Sequence, residues 1–284
     1  MAFGIGRSED FGAAFRRLIL EDIAEARAGL LDANLAPEEG VHGARRRLKR
    51  IRSILRILRP VLKNQYAAYL ADVRSVARSL AVYRDADVMH ATATDLRATA
   101  GRDEQQLIER AIASLDQPKP SSRRRGTSVP VLYALGELEI DAEDLPTPKR
   151  GMALYLAAVH RAYRRGRRGM KRARKTRKAA DFHRWRMDAK DLWHLLELAS
   201  QRLPKKARRL TARLDTLGEI LGLDHDYWLT GEHIASVAGD AGSQQTARRL
   251  VAARRRRLQK DALKRGARLY RRRPRKFRRL IRLR

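Results

Sequence analysis

The chain has 284 residues, of which 64 are Lys or Arg and 32 are Asp or Glu, for a formal net charge of +32. An excess of this size draws polyanions and releases their condensed counterions on binding, so nucleic acid, anionic membrane and polyphosphate are all admitted as partners. Zero cysteines exclude disulfides, thiolate nucleophiles and cysteine metal sites, while 43% hydrophobic residues exclude a disordered basic tail.

The expected elements are helical throughout. Phe11 to Ala33, Glu38 to Leu62, Gln65 to Tyr83 and the stretch from Ala86 onward carry apolar residues at helical period. From Gln117 to Ser128 the sequence QPKPSSRRRGTS is rich in Pro, Ser, Gly and Arg, and DLPTPKRG near residue 148 has the same character. Between them lies a short apolar piece, Val129 to Leu138. Helical patterns then resume over Met152 to Thr176, Ala180 to Leu203, Ala207 to Leu223, Tyr227 to Ala238 and a long basic helix from Gln244 to Arg272. The expected division is a first helical bundle over 1–116, a Pro/Ser/Arg-rich linker with a short helix over 117–147, and a second bundle over 148–284 with a basic C-terminal helix and tail. No run approaches the roughly 18 apolar residues of a membrane span and no leader pattern opens the chain, so the expected address is the cytoplasm.

One constant offset of 141 residues aligns the two halves without a gap. His42 falls on His183, Arg45 on Arg186 and Lys49 on Lys190; Ile51, Leu55 and Leu62 meet Leu192, Leu196 and Leu203; Leu80 and Arg84-Asp85 meet Leu221 and His225-Asp226. An uninterrupted register of this length points to duplication of a helical unit.

The stretch VHGARRRLKRIRSILRILRPVL, wound at 100° per residue, separates into two faces. Ala44, Leu48, Ile51, Leu55, Leu58 and Leu62 make the core face. His42, Arg45, Arg46, Lys49, Arg52 and Arg56 make a basic stripe, and no acidic residue occurs from His42 to Arg59. Solvated faces usually mix signs, because like charges one turn apart repel. An unbroken stripe along roughly 25 Å of helix makes sense when an external polyanion neutralises it. The later stretch HRAYRRGRRGMKRARKTRK repeats the pattern with Arg164, Arg167, Arg168, Lys171, Arg174 and Lys175 on one wide face. Arginine forks match phosphate oxygens in bidentate fashion, and several in a row follow a phosphate chain without reading any base.

His42 and His183 open their stripes at equivalent positions, as packing histidines or as phosphate donors whose charge a bound polyanion would favour. In VYRDADV and GLDHDYW the carboxylates Asp85, Asp87 and Asp226 are expected between two helices, capping the one that follows.

The spacing of His42, Arg45, Lys49, Arg50 and Arg52 resembles the signature of the CHAD family, whose letters stand for conserved histidine α-helical domain. The family's second signature, an Arg-Asp pair before a short helix, resembles Arg84-Asp85, and the resemblance spans nearly the whole chain, as a stand-alone member. It implies an all-α fold of two four-helix bundles related by pseudo-two-fold symmetry around a basic groove or pore. It also implies inorganic polyphosphate as ligand, no catalysis, no cofactor, and association with polyphosphate granules. The polyphosphate set it implies is His42, Arg45, Arg46, Lys49, Arg50, Arg52 and Arg56, with His183, Arg186 and Lys190 in the second half. Asp191 and Trp193 stand where further basic residues are expected, Glu197 lies on the same stripe, and His225 replaces the Arg before Asp226, so the stripe from Arg164 to Lys178 is expected to compensate.

Two other readings stand beside this one. The charge and the tail RRRPRKFRRLIRLR also suit a protein that binds nucleic acid nonspecifically, although aromatics make up only 6% of the chain and are not interleaved with basic residues as in stacking platforms. The set His183, His194 and His225-Asp226 superficially resembles a helical metal-dependent phosphohydrolase, but the repeat puts Arg84 where a ligand would have to stand. Glu137-Leu138-Glu139 is a lone match to the acidic strands of triphosphate-processing domains and reads as chance.

Overall fold

A computed structural model of the chain describes residues 4–32, 34–80, 82–116 and 129–281, and among these every regular element is an α-helix. The stretch Gln117 to Ser128 and the side chains of Arg84, Asp85 and Asp87 lie outside the described residues.

Helix α1 (Phe11–Leu31) begins at Asp10, whose carboxylate accepts from the backbone N–H groups of Gly12 and Ala13 at 2.8 and 3.0 Å. It buries Phe15, Leu18, Ile19 and Ile23 at helical spacing. Helix α2 (Pro37–Leu62) opens on proline, with Glu38 and Glu39 in the first turn where the helix end is positive. It buries Leu48, Ile51, Leu55, Leu58 and Leu62 as predicted, and Ile54 and Ile57 as well. This wider apolar face lets α2 pack on α1 and α3 (Gln65–Ser79) and also on the second half's α7 (Gly151–Thr176) and α8 (Ala179–Leu198).

Helices α4 (Val82–Arg97) and α5 (Arg102–Asp116) pack on α9 (Lys205–Ser236) and α10 (Ala241–Leu269) around a small core that includes Leu96, Ile108, Ala111, Ile234 and Val251. Helix α6 (Val129–Glu143), the short helix expected in the linker segment, buries Val131, Leu135 and Leu138 and packs against α1 and α3. The larger core is one continuous cluster that draws Phe15 and Ile51 from the first half and Tyr155, Trp185 and Leu217 from the second. The halves touch where α1 and α7 start. A Cβ on Gly151 would come within 2.5 Å of the Gly12 nitrogen, and one on Gly12 within 2.4 Å of the Pro148 carbonyl oxygen.

Four elements differ from the sequence reading. Helix α3 ends at Ser79 rather than Tyr83 and α4 starts at Val82, so Asp85 and Asp87 stand within α4 rather than between two helices. Helix α8 stops at Leu198 rather than Leu203, and the Leu198 carbonyl accepts from the Ile5 N–H at 2.8 Å. Helix α9 runs unbroken through GLDHDYW, so Asp226 caps nothing. No proline interrupts it, and the buried Asp224 carboxylate is held by Arg255 Nε at 3.1 Å and Gln259 Nε2 at 3.0 Å from α10. The basic C-terminal helix ends at Leu269, and the tail folds again as α11 (Pro274–Leu280).

Candidate functional site

Between α2 and α8, with α4 and α9 across one side, lies a cleft of about 480 Å³. Its α2 wall is made by His42, Arg45, Arg46, Lys49, Arg52 and Arg56, the whole predicted stripe, with Ser53 beneath. The α8 wall carries His183, Arg186 and Lys190, and α9 adds His225 and Asp226. The α2 stripe faces the cleft because the opposite side of the helix is in the core. Crowding shows in Arg52, whose guanidinium is held below its ordinary pKa by burial and then by Arg56 and Arg74.

Arg50 is not in this wall. It turns to α1, where its Nε donates to Asp22 Oδ2 at 3.0 Å and its Nη2 to Oδ1. The Asp22 side chain is 1% exposed, and burial raises its carboxyl to about 6 against the pull of Arg50. In the 141-residue register Arg50 matches Asp191. Asp191 is also buried, and it accepts from Arg56 Nη1 at 2.6 Å, from Ser53 Oγ at 3.3 Å, and from Arg165 of α7. Each half thus ties the cleft helix to the helix before it by a buried ion pair, with the signs exchanged. The acid that looked like a defect in the second stripe is the anchor of Arg56.

The six predicted cations of α7, Arg164, Arg167, Arg168, Lys171, Arg174 and Lys175, do not line the cleft. Arg167 donates from Nε to the Tyr270 carbonyl at 3.2 Å, and the other five are exposed. Sequence reasoning missed Arg161 and Arg165, one turn apart on a different α7 face; they line a neighbouring depression of about 690 Å³ with Arg56, Arg59 and Lys63. The available signal was the pair Asp188 and Asp191 on a face otherwise basic: carboxylates on a buried face need partners, and Arg165 reaches both, Asp188 at 3.4 Å.

The His183 and His225 rings lie 4.3 Å apart at 31°. Both Nδ1 atoms are buried without a hydrogen-bond partner among the described residues, with Asp226 Oδ1 3.6 Å from that of His225. Burial, then His225, then Arg186 hold His183 below the ordinary histidine pKa. His194, beneath the α8 wall, is pushed down to about 3 by burial and by the field of Lys190, Lys49, Arg50 and Arg56. Lys190 bonds Asp215 at 3.2 Å and covers the Trp193 ring at 5.0 Å from its centroid. Among the described residues no three His, Asp or Glu side chains converge as a metal would require, so His183, His194 and His225-Asp226 do not assemble into a ligand set. No helix among them is long and apolar enough to cross a membrane.

The chain resembles the crystal structure of the CHAD domain from the plant Ricinus communis, with a TM-score of 0.67, 20% identity, and coverage of 100% of this chain and 98% of that one. No curated protein matches it by sequence. At 20% identity that likeness shows the fold alone, but the sequence model of the CHAD domain matches residues 14–235, a span that takes in both cleft walls. With the histidine-led stripe, its repeat and the helices that carry them, this match places the chain in the CHAD domain family.

Proposed function

We propose that the protein binds inorganic polyphosphate in the α2/α8 cleft, without catalysis of its own. The observation that carries this reading is the convergence of six cationic or titratable side chains from α2 on three from α8 across one concave space, where a flexible chain of phosphates meets arginine forks from two sides. A duplex is read by elements that enter its grooves from outside, and a cleft recessed between helices suits a single strand of phosphates better. Base stacking has little support: Lys190 covers Trp193, the one Phe, Tyr or Trp ring of the lining among the described residues.

The same reading makes the two walls copies of one duplicated bundle unit. The support is the 141-residue offset, which carries Phe11–Leu31 onto Gly151–Thr176, Pro37–Leu62 onto Ala179–Leu198 and Arg102–Asp116 onto Ala241–Leu269 to within a few residues at each start. Nonspecific binding of nucleic acid through the tail is the competing reading. Competition decides between them: with fluorescent long-chain polyphosphate bound, duplex DNA at equal phosphate concentration is expected to displace little of it at about 150 mM salt. Efficient displacement would transfer the function to nucleic acid.

A further inference from the structure

Beyond the cleft cations still outnumber acids, and the two carboxylates of the next depression, Asp188 and Asp191, are both held by Arg165. The depression that holds Arg59, Lys63, Arg161 and Arg165 shares Arg56, Met187 and Asp191 with the cleft. It also shares Arg161 with a third depression of about 730 Å³, floored by Ala153, Leu156 and Ala157 of α7 and rimmed by His160 and by Arg275, Arg278 and Arg279 around α11. Three concavities therefore join end to end, through Arg56, Met187 and the Arg56-bound Asp191 at one junction and through Arg161 at the other.

The third concavity is held in a fixed shape. Phe277 of α11 is 1% exposed and stacks on Tyr163 of α7, with centroids 3.8 Å apart and planes at 6°. Tyr163 donates its hydroxyl to the Arg272 carbonyl at 2.8 Å, which pins the turn before α11. With its apolar side fastened, α11 presents Arg275, Arg278 and Arg279 at i, i+3 and i+4 on the pocket side. No acidic residue follows Asp261, and among the described residues none of the three pairs with a carboxylate. His160 Nε2 is buried without a hydrogen-bond partner among the described residues, and burial, then Arg278 and Arg164, hold the ring below its ordinary pKa. Arg161 at the junction is lowered by burial and by Arg165 and Arg59. Such crowding of like charge on ordered elements suits an anion that neutralises it.

We infer that the α7/α11 pocket is a second anion subsite, joined to the cleft by the saddle of Arg56, Arg59, Lys63, Arg161 and Arg165, and that a long polyphosphate chain occupies both while a short one occupies the cleft alone. This rests on the polyphosphate reading of the cleft and deepens it: the protein discriminates chain length, because the second contact of a tethered anion is intramolecular. The subsite lies partly outside residues 14–235, since α11 begins at Pro274.

The test is calorimetric titration of the full chain with tripolyphosphate and with long-chain polyphosphate at equal phosphate concentration. Three proteins are compared with wild type: Arg275→Ser/Arg278→Ser/Arg279→Ser, the charge-matched Arg208→Ser/Arg209→Ser/Arg213→Ser on exposed positions of α9, and the cleft variant Arg45→Glu/Lys49→Glu. The α11 variant is expected to lose about tenfold or more in affinity for the long chain while keeping that for tripolyphosphate, and the α9 variant to lose much less of either. Equal losses in the α9 and α11 variants would overturn the subsite; if long-chain binding still disappeared in the cleft variant, the cleft reading would stand. Wild type that binds neither ligand would sink both.

Discussion

Lys49 and Arg50 are adjacent in the chain and point to opposite duties. Lys49 lines the cleft, whereas Arg50 neutralises Asp22 inside the α1/α2 contact. Arg50→Ala should therefore destabilise the fold by about 3–5 kcal/mol, the cost of stranding a buried carboxylate, while Lys49→Ala leaves stability nearly unchanged and weakens polyanion binding. Urea unfolding beside a binding titration separates the two. His183 gives a pH prediction. In the empty cleft its pKa lies below 6.5, and a bound polyanion favours the imidazolium, so the bound pKa is the higher of the two. Between those values binding takes up a proton, and affinity rises as pH falls through that window; His183→Gln should flatten the profile measured in buffers of different ionisation enthalpy. His194 acts on stability with the opposite consequence of acid. Its folded pKa of about 3 lies below the unfolded 6.5, so its contribution is complete above 6.5 and declines by about 1.4 kcal/mol per pH unit below it. Acid unfolding of His194→Gln should be correspondingly shallower.

At the scale of helices, the sequence located the α2 stripe well because one helix carried both signals, an apolar face at strict spacing and an acid-free opposite face. It located α7 poorly for cleft purposes. A helix with cations on nearly every face gives no sign of which face meets a neighbour, and Arg165 became recognisable only through its acid partners Asp188 and Asp191. The break expected near Asp226 failed for a related reason: a cluster of carboxylates reads as a cap or turn, and the tertiary contact of Asp224 with Arg255 and Gln259 is invisible in a local window. Asp224→Ala leaves the buried Gln259 amide and the partly buried Arg255 guanidinium without their acceptor and should cost about 3 kcal/mol in thermal or urea unfolding. A cost within about 0.5 kcal/mol, the ordinary range for a surface change, would mean that the contact does not hold α9 straight.

Across the whole molecule, a continuous core joins the two halves and sets the cleft walls at a fixed separation, so the concavity exists before any ligand arrives. Preorganisation lowers the cost of ordering side chains on binding. It also separates this account from one in which +32 charges attract any polyanion diffusely. The most direct test compares two double charge reversals of equal size by calorimetry with long-chain polyphosphate at about 150 mM salt. Arg45→Glu/Lys49→Glu falls inside the cleft; Arg208→Glu/Arg209→Glu falls on exposed positions of α9 outside it. The cleft account predicts a loss of about 100-fold or more for the first pair, from two charge-assisted contacts, and a far smaller loss for the second. Equal losses would contradict it and assign the binding to the molecule's overall charge.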